Sequence, residues 1–367
     1  MNILLIANHL NPGGITSYLI TLGKGLVKEG HRVYLATAGG TRLARCIAEG
    51  MECIPVPMKT KNEFSPAVFV SAVKLGMILH EHPVDVIHAH SRTTQVLGCL
   101  LGRWKNIPVI STCHGFFNSR RLSRRLMPCW GMKVIAVSEQ VKRHLEDDFG
   151  VAAERIAVVH NGIDFSCLRS RERGAEVARI KKSLGLRGDV PAAGIIARLS
   201  DVKGHRYLIE AMREVKQRFP GVQLLVAGDG KMRAELVELR ARLRLEGTVV
   251  FVPEVRDIPA VLSAIDIFVM PSLQEGLGLA LMEAMAAGCA VVASNVGGIR
   301  TLVTDGETGL LAEPGSPESI ARSLLRLLGD AGLRERLGAR AQEYIRAHFS
   351  QEKMVRETEE VYRRCLY

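Results

Sequence analysis

Short apolar runs alternate with amphipathic segments along most of the chain, beginning with N-I-L-L-I-A at 2–7. Residues 15–28 then carry apolar positions at helical spacing, and Gly30 is a suitable residue to end that helix. The strand pattern recurs, each time followed by a helical stretch, in R-V-Y-L-A-T, C-I-P-V, D-V-I-H-A, P-V-I-S-T and K-V-I-A-V. Apolar strands separated by helices indicate a parallel sheet covered on both faces.

A charged stretch at 165–190 interrupts this alternation, which then starts again. The second set of strands is A-G-I-I-A-R, V-Q-L-L-V-A-G, T-V-V-F-V, D-I-F-V-M and C-A-V-V-A-S, and the chain reads as helical from 316 to its end. We therefore predict an α/β protein with two doubly wound domains, residues 1–168 and 169–348, and a C-terminal helix at 349–367 that crosses back to the first. Ligands of such sheets bind at the carboxyl ends of strands, so we expect the chemistry at strand-to-helix junctions, in a cleft between facing domains.

Composition narrows the class of protein. With 367 residues, 47% apolar and 24% charged, the chain is typical of a soluble globular protein of more than one domain. The first apolar run is short and has no basic residues before it, so we predict neither a signal peptide nor a membrane span. The eight cysteines form no C-x-x-C pair, which predicts reduced thiols in a cytoplasmic protein rather than a zinc site.

The net charge of +11 lies entirely in the first half of the chain. Residues 1–185 contain 25 Lys and Arg against 14 Asp and Glu, whereas residues 186–367 contain 24 of each. A one-sided basic charge predicts an anionic partner for the N-terminal half: a membrane surface, a nucleic acid or a charged substrate.

Two junctions in the first half carry candidate chemistry. In N-H-L-N-P-G-G (8–14), Gly13 and Gly14 precede a helix, so backbone N–H groups can approach an anionic ligand closely. In S-T-C-H-G, His114 directly follows a strand and can exchange a proton with a ligand. A plain tight turn and a structural histidine are the alternatives.

The second half offers a stronger pair of junctions. Arg198 ends a strand in I-I-A-R-L-S-D-V-K-G-H, and Lys203 follows just before a helix. Two cations at such a junction indicate a diphosphate-binding site, which we favour over the alternative that they are solvated surface charges. In E-G-L-G-L-A-L-M-E, Glu275 lies in a glycine-containing loop and Glu283 about one turn inside the helix that begins near Leu279. Carboxylates here can accept hydrogen bonds from sugar hydroxyls while helix amides meet phosphates. Capping of the helix by acids is the alternative, but it does not explain the glycines.

These motifs together resemble the retaining glycosyltransferases of family 4, which have the GT-B fold of two facing Rossmann-like domains. The resemblance extends over essentially the whole chain, and the E-x₇-E element of residues 275–283 is its most specific part. The other matching motifs are P-G-G (12–14), D-V-I-H-A-H-S (85–91), C-H-G (113–115), V-V-H-N-G-I-D (158–164), A-R-L-x₃-K-G (197–204) and V-A-G-D-G (226–230).

The resemblance implies a role for each matching residue. Arg198, Lys203, Glu275 and His114 would act on the reacting sugar and diphosphate, and Glu283 would bind the ribose. The implied donor-binding residues are Gly13, Gly14, Arg198, Lys203, Glu275, Gly276, Leu277, Gly278, Leu279 and Glu283. No metal ion and no cofactor are implied, since positive side chains and a helix dipole would stabilise the leaving group. One departure is G-G-I-R-T (297–301), where Arg300 and Thr301 replace the family's usual proline and acid.

The segment F-F-N-S-R-R-L-S-R-R-L-M-P-C-W (116–130) has the pattern of a basic amphipathic helix. It suggests a membrane-surface contact, with an ordinary surface helix as the alternative. The residues that would touch the membrane are Arg120, Arg121, Arg124, Arg125 and Trp130.

The sequence thus predicts a cytoplasmic hexosyltransferase that retains anomeric configuration, with peripheral attachment to the inner face of the cytoplasmic membrane as a further hypothesis. The donor would be a nucleoside-diphosphate sugar, UDP-linked first and GDP-mannose next. The acceptor would be a glycan, as in polysaccharide or lipopolysaccharide biosynthesis, or a lipid-linked sugar. The alternatives are a GT-B-fold sugar-nucleotide epimerase, a non-catalytic family member, and a nucleic-acid-binding protein; the last is disfavoured because aromatic residues make up only 5% of the chain.

Overall fold

The computed structural model describes residues 1–60, 62–117, 124, 127–167, 174–188, 190–253, 255 and 257–366. Two compact units make up the chain. Unit 1 combines Met1–Gly162 with Phe349–Tyr367, and unit 2 is Ile163–His348.

Unit 1 is built on one parallel sheet. Its strands are β1 Asn2–Ala7, β2 Arg32–Thr37, β3 Glu52–Pro55, β4 Val86–Ala89, β5 Val109–Cys113, β6 Lys133–Ala136 and β7 Ile156–Val158, in the spatial order β3-β2-β1-β4-β5-β6-β7. Its helices are α1 Gly14–Lys28, α2 Leu43–Ala48, α3 Pro66–Glu81, α4 Arg92–Lys105 and α5 Glu139–Phe149, joined by the last helix of the chain, α14 Gln351–Leu366. Strand order reverses between β1 and β4, which makes that point the ligand crevice of a doubly wound sheet.

Specific contacts tie the C-terminal helix α14 to unit 1. The Tyr362 hydroxyl hydrogen-bonds to Nδ1 of His88 on β4 at 2.7 Å, and the Gln351 amide donates to the Thr21 carbonyl at 2.6 Å. Val355 packs so closely on α1 that a Cβ at Gly25 would lie 2.4 Å from it. These contacts explain why the last helix belongs to unit 1 although unit 2 precedes it in the chain.

Unit 2 repeats the architecture. Its strands are β8 Ala192–Ile196, β9 Gln223–Ala227, β10 Val249–Val252, β11 Ile267–Met270, β12 Ala290–Ser294 and β13 Leu310–Ala312, in the order β10-β9-β8-β11-β12-β13. Its helices are α6 Ala175–Ser183, α7 His205–Arg218, α8 Arg233–Arg242, α9 Ile258–Ser263, α10 Leu279–Ala286, α11 Ile299–Leu302, α12 Pro317–Gly329 and α13 Ala331–His348. Here the strand order reverses between β8 and β11.

The structure confirms the predicted α/β class, with parallel sheets in both units and helices on their faces. Every strand pattern identified in the sequence forms a strand within a residue or two of the predicted bounds. The sequence reading missed β7 and β13, which are three-residue strands at the ends of their sheets. The two units divide between Gly162 and Ile163, whereas the prediction from the sequence placed the boundary between residues 168 and 169.

Candidate active site

The candidate site of unit 2 lies where its strand order reverses. The loop after β8 carries Arg198 and Lys203, and the loop after β11 carries Glu275. Because β8 and β11 are neighbouring parallel strands, their carboxyl ends open at the same edge of the sheet. A backbone hydrogen bond of 2.8 Å from Leu273 N–H to the Val202 carbonyl joins the two loops.

Lys203 and Glu275 form an ion pair across these loops. The Lys203 side chain is 23% exposed and that of Glu275 is 13% exposed, so the pair is partly shielded from water but open to a ligand. The Ser272 hydroxyl donates to the same carboxylate at 3.3 Å. The sequence predicted both charged residues as site residues, and the structure adds that they contact each other directly.

Two glycines allow the loops to pack this closely. A Cβ at Gly204, whose φ is +69°, would lie 1.9 Å from the Pro271 carbonyl oxygen. A Cβ at Gly298 would lie 1.9 Å from the carbonyl oxygen of Gly276, and the Gly298 N–H donates to the Glu275 carbonyl at 3.0 Å. The loops after β8, β11 and β12 are therefore held against one another by backbone contacts that a side chain would block.

Helix α10 begins at Leu279, where the sequence predicted its start. Gly278 precedes it with a φ of +97°, and no acidic residue lies in its first turn. Glu283 is partly buried within the helix, and the side chain of Arg198 is exposed. The helix N-terminus carries partial positive charge from unpaired amides, so this edge of the sheet favours an anionic group.

The Arg300 side chain folds back onto the strand end that precedes it. Its Nε donates to Asn295 Oδ1 at 2.8 Å, and a terminal nitrogen donates to the Asn295 carbonyl at 3.2 Å. Gly298 keeps its contact with the Glu275 loop in spite of the departure from the family pattern at residues 300 and 301. The arginine therefore stabilises the end of β12 and leaves the glycine turn in place.

Sequence reasoning missed His205, the residue that opens α7 directly after Lys203-Gly204. Its side chain is 2% exposed, and neither ring nitrogen has a hydrogen-bond partner in the structure. Burial lowers the pKa of His205 to about 4, with a further contribution from the charge of Lys203. A neutral imidazole therefore lies close to Lys203. The signal in the sequence was the position of His205 two residues after this lysine.

In unit 1 the loop after β1 leaves space beside the start of α1. A Cβ at Gly13 or Gly14 would meet no atom within 4 Å. The neighbouring loops are ordered by Asn8, whose side-chain oxygen accepts a hydrogen bond from the Thr93 hydroxyl at 2.6 Å. The glycines that the sequence predicted as ligand-binding therefore lie at an open helix N-terminus.

His114, which is partly buried, follows β5 and adjoins two buried histidines, His88 on β4 and His90 just after it. Its Nε2 lies 3.3 Å from Nδ1 of His90, and its ring meets that of Tyr18 edge-on at 4.8 Å. Burial lowers the pKa of His114 and of His88 to about 3, and lowers the pKa of His90 well below its usual value. All three are therefore neutral near pH 7, and His114 can donate or accept a hydrogen bond without carrying charge.

Comparison with known proteins identifies the family. The family model described as Glycosyltransferase Family 4 matches residues 12–166, and the one described as Glycosyl transferases group 1 matches residues 176–344. An uncharacterized glycosyltransferase of Methanocaldococcus jannaschii is 29% identical over 372 residues, covering 96% of this chain and 94% of that protein. The chain belongs to the family 4 glycosyltransferases.

Other relatives of this glycosyltransferase agree with that assignment. A UDP-Gal:alpha-D-GlcNAc-diphosphoundecaprenol alpha-1,3-galactosyltransferase of Escherichia coli is 27% identical over 274 residues, covering 71% of this chain and 70% of that protein. The Anabaena protein HepE, solved with UDP-glucose, superposes with a TM-score of 0.88 at 24% identity, over 99% of this chain and 100% of that one. The structural likeness establishes the GT-B fold.

One part of the predicted membrane contact in this glycosyltransferase is wrong. Arg124 is 6% exposed and lies over the Phe117 ring at 4.0 Å, and Trp130 is 3% exposed. The aromatic rings of Phe117, Trp130 and Phe149 attract the guanidinium, which therefore faces inward instead of toward a membrane. The other three residues of that prediction, Arg120, Arg121 and Arg125, lie outside the described residues.

The described residues include neither a membrane-spanning helix nor a cluster of metal ligands. No helix within the described ranges has the length and apolar character needed to cross a bilayer. In the same part of the chain, no three His, Cys, Asp or Glu side chains are grouped as metal ligands would be. Three cysteines of the described residues, Cys46, Cys113 and Cys289, are buried.

Proposed function

We propose that this glycosyltransferase transfers a hexose or N-acetylhexosamine from a UDP-sugar, with GDP-mannose the next candidate donor, to a hydroxyl of a glycan or a lipid-linked acceptor. The observation that carries the proposal is the meeting of Lys203 and Glu275 at the point where the strand order of unit 2 reverses. A cation and a carboxylate in contact there match the two ends of such a donor, a diphosphate and a polyhydroxylated sugar.

The proposed binding mode uses both members of the ion pair. Lys203 and Arg198 would bind the diphosphate, and the amides of Gly276 to Leu279 at the α10 N-terminus would add hydrogen bonds to it. Glu275 would then accept hydrogen bonds from sugar hydroxyls, and Glu283 from the ribose. In the absence of donor, the contact between Lys203 and Glu275 holds both side chains near these positions and reduces the reorganisation that binding requires.

The proposed chemistry is transfer with retention of configuration and without a metal ion. As the bond between the anomeric carbon and the diphosphate breaks, negative charge grows on the leaving oxygen, where Arg198, Lys203 and the helix amides would stabilise it. The departing phosphate would help to take the proton of the attacking acceptor hydroxyl. Neutral His114, whose Nε2 lies 3.3 Å from Nδ1 of His90, would contact the transferred sugar.

Relatives support the proposed substrates in part. The Anabaena protein was solved with UDP-glucose, and the Escherichia coli relative is named for transfer from UDP-Gal to a diphosphoundecaprenol-linked sugar. Both names fit a UDP-linked donor, and the second fits a lipid-linked acceptor. Membership of the family does not favour the epimerase or the nucleic-acid-binding alternative.

A thermal-shift panel tests the proposal. UDP, GDP, UDP-glucose, UDP-N-acetylglucosamine and GDP-mannose are added separately, because a ligand at about a hundredfold excess over its Kd stabilises the folded state by about 2.7 kcal/mol. We expect at least one nucleotide sugar to raise Tm, and Lys203→Ala to abolish the shift. An unchanged Tm with every nucleotide would contradict the proposal, and conversion of a UDP-sugar to its epimer without an acceptor would favour the epimerase.

A further inference from the structure

Helix α3 has an apolar surface on the side that faces solvent. Its buried side supplies Val68, Ala72, Leu75 and Leu79 to the core of unit 1. Its other side exposes Phe69 (50%), Val73 (53%) and Met77 (62%), spaced four residues apart, and Val70 (55%) beside them. A surface helix normally carries mostly polar residues on its solvent-facing side, where α3 instead exposes these four apolar side chains.

Two neighbouring residues extend this surface. Trp104 on α4 is 55% exposed and packs on α3, where a Cβ at Gly76 would lie 1.9 Å from its ring. Phe64, just before the helix, is 54% exposed. We name these six side chains the α3 surface. They are more than half of the eleven large apolar side chains that are exposed among the described residues. Such a concentration indicates an interaction site.

Two lysines adjoin the α3 surface. Lys74 lies on α3 within one turn of Val70 and Met77, and the ammonium of Lys105 lies 4.7 Å from the centre of the Trp104 ring. Glu63 is buried against Arg92, whereas the exposed acid Glu81 lies at the end of α3, one turn beyond Met77. An acidic partner surface is therefore favoured over a neutral one.

We propose that the α3 surface binds the interface of an anionic lipid bilayer. Phe69, Val73, Met77 and Trp104 would enter the headgroup and acyl boundary, while Lys74 and Lys105 meet the lipid phosphates. An exposed tryptophan next to a lysine suits this boundary because its ring is apolar and its N–H is polar. The surface replaces the buried Arg124 and Trp130 as the membrane contact. This inference rests on the proposed function, because a lipid-linked acceptor is what would require the enzyme to bind a membrane.

Vesicle co-sedimentation of the full chain tests the inference without any sugar nucleotide, so it can fail separately from the proposed function. The probes are vesicles of phosphatidylcholine alone and vesicles that also contain phosphatidylglycerol. We expect binding to the anionic vesicles, weakened by salt. Each of Phe69→Ser, Val73→Ser and Met77→Ser should reduce the partition coefficient roughly tenfold. Ile47→Ser on α2 is the matched control, since Ile47 is 55% exposed outside the surface, and it should bind as the unchanged chain does.

Tryptophan fluorescence provides a second readout that needs no core substitution. The chain has two tryptophans, exposed Trp104 and buried Trp130, so a shift to shorter wavelength on adding vesicles reports on Trp104. Trp104→Phe should remove the shift. The inference is overturned if the unchanged chain does not sediment with anionic vesicles, or if a triple variant that carries Phe69→Ser, Val73→Ser and Met77→Ser binds equally well. It is also overturned if light scattering shows a dimer that this triple variant dissociates.

Discussion

The side chains of Lys203 and Glu275 pair across the point where the strand order of unit 2 reverses. A second Lys–carboxylate pair, Lys231 with Asp201, joins loops at the same edge of the sheet but is far more exposed, at 70% and 58% against 23% and 13%. Exposed pairs contribute little because water and salt screen them. This difference in exposure distinguishes the candidate site pair, Lys203 and Glu275, from an ordinary surface ion pair.

The first prediction uses that contrast. Lys203→Ala and Glu275→Ala should each lower kcat/KM by about a hundredfold or more, because each removes a charged contact to the donor or its leaving group. Lys231→Ala is the control and should change kcat/KM by no more than about twofold, as expected for an exposed pair. Sugar transfer to an acceptor is measured under conditions where Tm shows that all three variants are folded. Full activity of Lys203→Ala would exclude the assigned role.

The second prediction concerns the close approach of the loops. Gly204 and Gly306 both have positive φ, +69° and +75°, but a Cβ at Gly306 would meet nothing within 4 Å. Gly306→Ala should therefore cost only the backbone strain, about 1 kcal/mol. Gly204→Ala must also displace the Pro271 carbonyl and should cost a further 1–3 kcal/mol. Urea unfolding measures both, and equal losses of stability would show that the clash is relieved at no cost.

The third prediction concerns acid stability. His88 and His114 have a pKa of about 3 in the folded protein against 6.5 when exposed, so the unfolded chain binds more protons between these values. The stability they provide is complete above about pH 6.5 and is lost as the pH falls toward 3, by about 1.4 kcal/mol per pH unit for each histidine. Tm measured from pH 7 to 5 should fall, and His114→Gln should flatten that slope. A Tm independent of pH over this range would contradict the burial of these rings.

The fourth prediction tests the anchor of the C-terminal helix. Tyr362→Phe removes the hydrogen bond to His88 and leaves a buried ring nitrogen without that partner, which should cost about 1–3 kcal/mol. Tyr344→Phe is the comparison, since its hydroxyl also donates one hydrogen bond, to the Thr301 carbonyl, but is only partly buried. Water can replace that bond, so the loss of free energy of unfolding should be smaller. A loss for Tyr362→Phe no larger than that for Tyr344→Phe would show that α14 is held mainly by apolar packing.

The sequence predicted most strands because those that lie inside each sheet are buried on both faces and therefore apolar throughout. The missed strands, β7 and β13, have three residues each and lie at sheet ends, so they carry too few apolar positions to stand out. The start of α10 at Leu279 was predicted because glycine immediately precedes an uninterrupted helical pattern.

Residue types and their spacing were enough to determine the α/β class and the family resemblance, and to predict Arg198, Lys203 and Glu275 as site residues. Only the tertiary structure decided that Lys203 pairs with Glu275, that His205 is buried beside them, and that Arg124 faces aromatic rings instead of solvent. The reason is physical: periodicity records which face of an element is buried, whereas contacts between residues distant in sequence depend on how the elements pack. The exposed side of α3 illustrates the same limit, since its apolar residues resemble core positions until the packing leaves them uncovered.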